Sequence, residues 1–435
     1  MRQSHTFYIE KPSTFSKGLL LKSKEIDYVS ILDSNTRVKC SRLPKGYINY
    51  DLIVGFDALQ LIEIDDNVFN SLSTFHSQHK DWLFGFLSYD IKNECEQLYS
   101  RNKDGIEANL ASFFIPKYVF ILKDNHLVIH TYESKKVCEQ FLSSLELCIN
   151  DKIDKIKLKK RESKEMYIKN IDKIQKHIQR GDIYELNYCQ EFFAKEILLH
   201  PEAIFSMLNK HTATPFSCYL KIKELYAMCA SPERFIRKSA EHLISQPIKG
   251  TIKRGKNKIE DDRLIKKLQK SEKDFSENIM ITDLVRNDLS VTATTGSVKV
   301  IELCEVYTFE KVHQMITTIT SEVNKNINFS TILKSIFPMG SMTGAPKIKA
   351  MELIEEFESF KRGLFSGAIG YITPSGDFDF NVVIRTILYN SRLKYLSVGV
   401  GGAITIRSVA EDEYEECLVK VNPIFEVLKF VLDDK

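Results

Sequence analysis

The chain is short of the features that mark whole classes of protein. No CxxC pair occurs, and the nine cysteines make an odd count. Spacing therefore gives neither a disulfide framework nor a zinc site. No apolar run approaches the roughly 18 residues that a membrane span requires. The opening MRQSHTFYIEKP lacks the apolar core of a secretory signal. Charge of one sign is scarce too. The net charge is +3 over 435 residues, whereas a dedicated nucleic-acid binder carries a strong basic excess. Internal repeats and low-complexity tracts are absent. The expectation is a soluble protein of the reducing cytoplasm. At 435 residues, one large unit with a substantial core is feasible.

Familiar catalytic signatures are equally missing. There is no GxSxG elbow, no HExxH and no cysteine in a known nucleophile word. The ten histidines are scattered. Val398-Gly-Val-Gly-Gly-Ala403 is no GxGxxG opening a helix, and residues 337–347 miss the P-loop spacing. Neither a dinucleotide nor a nucleotide phosphate is implied.

What is present reads as a mixture of strands and helices. Residues 27–32, 82–89, 118–122 and 126–132 are strand-like, the last two joined by a turn at Lys123-Asp124-Asn125. The charged stretch 151–164 reads as a linker or the exposed start of a helix. Ser163 suits a helix cap, Ile168, Ile171, Ile174 and Ile178 recur at helical spacing, and Gly181 is a stop signal. Residues 219–222 and 227–230 look extended. Ser271 to Asp274 resembles a capping box that opens a helix to about Leu289. Residues 382–388 and 395–404 read as strands, and a last helix starts near Glu411. Strands outnumber a simple βαβ alternation, so the class expected is α+β.

Four constellations carry chemical potential. Asp274 and Glu277 lie three residues apart on one helix face, as do Glu413, Glu416 and Lys420 at i, i+3 and i+7 on the last helix. Two such faces meeting across a cleft would offer hard oxygen ligands to Mg²⁺. Without such a meeting they are two solvated amphipathic helices. The glycines of 398–403 would let backbone N–H groups approach an anion, or form a tight turn or bulge. Residues 337–347, ahead of a helical run at 348–358, suit an anion at a helix N-terminus or a capped structural loop. Lys249 reads as lying in a short turn between apolar residues. Desolvation there would lower its pKa and leave a nucleophilic amine; a surface charge is the plain alternative.

Taken together, the words resemble the chorismate-binding enzyme family, which includes anthranilate, aminodeoxychorismate, isochorismate and salicylate synthases. The matching words are GDIYELNYCQEF (181–192), ASPERF (230–235), QPIKGT (246–251), SENIMITDLVRNDL (276–289), FPMGSMTGAPKIKAMELIE (337–355), RGLFSGAIGY (362–371), FDFNVVIRT (378–386), VGVGGAI (398–404) and EDEYEECLVK (411–420). They cover most of 165–420. A catalytic region at 160–432 is expected, with a weaker match over 1–150 whose best stretch is FGFLSYDI (84–91). The resemblance implies two packed antiparallel β-sheets with outer helices, the substrate cleft between the layers, and Mg²⁺ as cofactor.

Carried over by position, the resemblance puts metal ligands at Glu277 and Glu416, with Glu413 and Asp274 close by. Arg385, Lys420 and the backbone of Gly401 and Gly402 would hold the substrate carboxylates. Ser341, Thr251 and Gln314 fall at substrate-contact positions. Glu233 would be the general acid that protonates the departing hydroxyl, and burial would raise its pKa. PIKGT, where anthranilate synthases typically read PIAGT, points to the aminodeoxychorismate branch. There the matching lysine, Lys249, is proposed to attack ring carbon 2.

Three positions depart from the family pattern. Glu185 stands where water-activating members carry lysine and amino-donating members commonly carry glutamine. The family histidine falls at Gln314, with His313 one residue earlier; a rearrangement that lets His313 substitute would have to overcome a change of face. Phe365 replaces a tyrosine. No amidotransferase cysteine word occurs, so the resemblance implies a separate glutamine amidotransferase subunit supplying ammonia. Ser34, in ILDSN, falls near a tryptophan-binding position of amino-donating relatives, on a thin local match. The alternatives are an anthranilate synthase component I, a lyase releasing pyruvate, and a non-catalytic homologue.

Overall fold

The computed structural model describes residues 2–36, 44, 46–47, 50–96, 98–145, 155–429 and 431–432. One ladder runs through Gln3–Tyr8, His126–Thr131, Ala111–Lys123, Leu52–Ile64, Tyr28–Asp33, Phe216–Ile222, Leu225–Ser231, Thr386–Asn390, Tyr395–Ile404, Glu185–Ala194 and Lys157–Lys160. A second leaves the same long strand, Ala111–Lys123, at its other end. It continues through Leu83–Leu87, Ala368–Ile372, Phe378–Asn381, Arg234–Ser239, His242–Gln246 and Val312–Glu322. Ile248–Lys253 and Lys299–Thr308 both pair with that last strand. Every named pairing is antiparallel except that of Val431–Leu432 with Lys157–Lys160.

Side-chain alternation stacks the two sheets. Cys218, Leu220, Ile222, Ala227 and Cys229 pack in one cluster with Phe84, Phe86, Ile369 and Phe380 of the second sheet. Their neighbours Tyr219, Met228 and Ala230 point the other way, into a cluster shared with the helices Lys164–Arg180, Pro201–Thr212 and Ala410–Val427. A strand buried on both faces must be apolar on both. The architecture is α+β, with paired antiparallel sheets and helices outside. Among the described residues, no helix is long and apolar enough to cross a membrane.

Local signals explain several element boundaries. Ser163 caps its helix, with Oγ accepting from the Met166 amide, and Gly181 ends it at φ +82°. Ser271 accepts from the Asp274 amide and opens Glu272–Ser290. Asp124 and Asn125 both take positive φ, as a two-residue hairpin turn between twisted strands requires. The cysteines among the described residues, from Cys95 to Cys417, are free; Cys40 and Cys148 lie outside them.

Three expectations need correction. The charged stretch 151–164 holds a short strand, Lys157–Lys160, because Leu158 buries against the helical layer while Lys157 and Lys159 are exposed; residues 151–154 are outside the described set. Residues 382–388 are not one strand. Phe378–Asn381 belongs to the second sheet and Thr386–Asn390 to the first, so 382–385 cross between them. The glycines of 398–403 lie within the strand expected at 395–404, in an unbroken register against Glu185–Ala194; a Cβ at Gly401 would lie 2.2 Å from the Tyr188 carbonyl oxygen, so only glycine fits there. Lys249 lies in no turn. It belongs to Ile248–Lys253, where the register slips between Ile248 and Thr251 and Gly250 takes φ +86°.

A buried ion pair ties the cleft walls together. Arg362 grips Glu358 with two bonds of 2.9 and 2.6 Å and donates to the Met342 carbonyl at 2.6 Å and the Asn187 carbonyl at 2.8 Å. Removing one partner strands the other's charge. Arg362→Met is expected to destabilise the protein by about 3–5 kcal/mol, read as a lower urea midpoint.

Candidate active site

A cleft of about 490 Å³ opens where the chain crosses between the sheets. The size suits a small organic ligand. The helix Glu272–Ser290 contributes Lys273, Asp274 and Glu277, and Ala410–Val427 contributes Glu416 and Lys420. Strands supply Lys249, Thr251, Gln314, Gly401 and Gly402, while Glu233, Ser341 and Arg385 come from connections. Of the predicted site residues, Glu413 alone is not on the lining. It is buried just behind, accepting from Ser408 Oγ at 2.7 Å.

Glu233 is 5% exposed. Burial lifts its carboxyl to about 7, against the pull of a hydrogen bond with Ser341 and the charges of Lys249 and Arg385. Arg385, at φ +52° on the crossing segment, is thus aimed into the cleft beside it. Lys249 lies amid three acids, since its charge acts on Glu185, Glu233 and Glu277. The bulge that presents it rests on the acidic helix. A Cβ at Gly250 would stand 3.0 Å from the Asp274 side chain.

The two acidic helix faces do meet. Lys273 Nζ lies 2.8 Å from Glu413 Oε1, 3.5 Å from Glu416 Oε2 and 4.0 Å from Glu277 Oε1. Lys420 holds the other oxygen of Glu416 at 2.8 Å and donates to the Gly401 carbonyl at 3.0 Å. Burial raises Glu416, but Lys420 and Lys273 outweigh it and hold the carboxyl at about 2. Burial dominates at Glu277 and pushes it up to about 7. Asp274 shares the lining and packs against Gly250. Among the described residues, no group of three or more His, Cys, Asp or Glu is arranged to hold a metal. An ammonium lies between the carboxylates instead.

The donor set still fits a hard cation. All its atoms are carboxylate oxygens, Glu277 Oε1 is buried with no hydrogen-bond partner, and the missing side chain at Gly402 leaves space facing Glu413, Glu416 and Lys420.

The departures from the family pattern resolve spatially. Gln314 lines the cleft, and its Nε2 is buried without a partner, a donor free for a ligand. His313 cannot take over its role. It lies on the other face of the strand, its ring nitrogens engaged with Thr308 Oγ1 at 2.9 Å and Asp261 Oδ1 at 3.0 Å. Phe365 also lines the cleft, and its ring lies 2.5 Å from where a Gly399 Cβ would stand. Glu185 is buried behind the lining, with Oε2 lacking a partner. Ser34 lies elsewhere, in a cavity of about 20 Å³ with Asp33 and Tyr50, room for about one water.

Sequence reasoning missed Lys273 and Asn187, both on the lining. Lys273 was detectable: it precedes Glu277 by one helical turn and shares its face. Asn187 lies two residues beyond Glu185 in a strand, hence on the same side.

Cations, a buried acid with a raised pKa and a cluster of carboxylates face one cleft. Comparison with known proteins makes this specific. A family model described as chorismate binding enzyme matches residues 48–426, and the chain belongs to that family. It is 31% identical to the chloroplastic aminodeoxychorismate synthase of Arabidopsis thaliana, over 95% of this chain and 47% of that protein. With the Escherichia coli aminodeoxychorismate synthase component 1 it shares 38% over 61% and 58%. The chain thus spans about half the length of such relatives. The crystal structure of anthranilate synthase component I from Streptococcus pneumoniae superposes with a TM-score of 0.77 at 22% identity, covering 90% of this chain and 96% of that one.

The raised Glu233 has a stability consequence. Its folded value, about 7, exceeds its ordinary 4.5, so the native state binds the proton more tightly. Its contribution falls as pH rises from 4.5 to 7, and the loss is complete above that. Glu233→Gln should flatten the decline in melting temperature between pH 5 and 8; an unchanged slope would show that Glu233 ionises normally.

Proposed function

We propose that this chain is an aminodeoxychorismate synthase component I, converting chorismate and ammonia to 4-amino-4-deoxychorismate in the formation of 4-aminobenzoate and folate. The observation that carries this reading is Lys249, presented by the PIKGT bulge into a cleft whose buried acid, Glu233, feels its charge. The names of relatives such as the Escherichia coli component 1 support it. A glutamine amidotransferase partner would deliver the ammonia, and free cysteines fit a cytoplasmic setting.

Each residue then has a task. Arg385, Lys420 and the backbone at Gly401 and Gly402 bind the two carboxylates, and Gln314, Thr251 and Ser341 orient the ring. The Lys249 amine adds at ring carbon 2. Both ring double bonds shift toward carbon 4, and its hydroxyl departs as water with the proton of Glu233, since hydroxide leaves poorly unaided. Ammonia adds at carbon 4, both double bonds shift back, the lysine amine is released, and the new ammonium returns a proton to Glu233. The net exchange is one hydroxyl for one amino group, and the enolpyruvyl group stays. Held by Glu277 and Glu416, with Glu413 behind them, Mg²⁺ would neutralise the ring carboxylate and draw electrons from the ring.

Chorismate, Mg²⁺ and ammonium are the substrates of the test. Aminodeoxychorismate, convertible to 4-aminobenzoate by an added lyase, is expected; pyruvate with fluorescent anthranilate would replace this reading with the lyase one. Lys249→Ala should cut product formation more than about 100-fold, and undiminished turnover would remove the covalent step. Glu233→Gln should cost about 10²- to 10⁴-fold.

A further inference from the structure

Lys273 stands second in the helix Glu272–Ser290, so its backbone is fixed while its four-carbon stem is free to swing. Its ammonium lies within 4.0 Å of carboxylate oxygens from Glu277, Glu413 and Glu416, which come from two helices. The side chain is 43% exposed, so solvent can receive it without unpacking the core. Lys420 is committed elsewhere, to the far oxygen of Glu416 and to the Gly401 carbonyl.

We propose that Lys273 is a built-in stand-in for the divalent cation: its ammonium holds the Glu277–Glu413–Glu416 cluster together without Mg²⁺ and is displaced when Mg²⁺ binds. This rests on reading the cluster as the metal site. Three carboxylates gathered with no cation would repel one another, and a lysine in their midst keeps the metal-free protein folded. The same ammonium then competes with the metal. Exchanging a monovalent for a divalent cation adds one positive charge where a dianionic substrate would bind. Metal loading and substrate binding are thereby coupled through one side chain.

The competition gives an effect opposite to a merely structural role. Lys273→Met in the full chain should bind Mg²⁺ at least about 5-fold more tightly than wild type by titration calorimetry without chorismate, the scale of one or two partly exposed ion pairs. Binding that is unchanged or weaker, with wild type still binding Mg²⁺, overturns the stand-in and leaves the metal reading intact. If neither protein binds Mg²⁺ at millimolar concentration, the metal reading falls and the stand-in with it. Acetylation of Lys273 in wild type, followed by mass spectrometry, decides the matter should the variant not fold. Saturating Mg²⁺ should raise its rate several-fold, and an unchanged or slower rate refutes displacement.

Discussion

Carboxylates from two helices some 140 residues apart in sequence occupy one small volume, and neighbouring cations offset their mutual repulsion. Lys273 and Lys420 perform that neutralisation within the chain. Because the ammonium of Lys273 reaches all three acids, the helices Glu272–Ser290 and Ala410–Val427 are held at the spacing that closes one side of the cleft. Without that attraction the cleft would lose its acidic wall and the fit for a hard cation.

The opposite wall follows from sheet geometry. The long strand Ala111–Lys123 feeds both sheets, and the chain crosses between them again at 382–385. A crossing segment has no ladder partners, so its side chains are free to face the gap. Arg385 takes a left-handed conformation there beside Glu233. Arg385 and Glu233 therefore both reach the cleft, and burial lifts the Glu233 carboxyl to about 7. That protonation state is what an acid facing a poor leaving group needs.

Elements with strong local signals were legible. Ser163, Gly181 and Ser271 fix helix ends through their own backbone hydrogen bonds, and Asp124-Asn125 fixes a hairpin. Elements defined by distant partners were misread. The 382–388 run is β-rich and apolar, yet it divides because its halves pair with different sheets. Lys249 resembles a turn residue, yet register slippage against Val312–Glu322 makes a bulge. In the site, the residues named from the family words gather around one cleft, with Glu413 behind its lining.

The sequence by itself determined the α+β class, the helix caps, the absence of a signature metal motif and the identity of the residues that would meet. Those follow from local hydrogen bonding, periodicity and the matching words. Only the tertiary structure decided that Gln314 rather than His313 faces the cleft, that Glu413 stands behind the lining, and that Lys273 lies between the acids. Each of these depends on which face of an element meets which neighbour. One residue of register, or one turn of helix, moves a charge from solvent to the site, and local sequence carries no information about that partner.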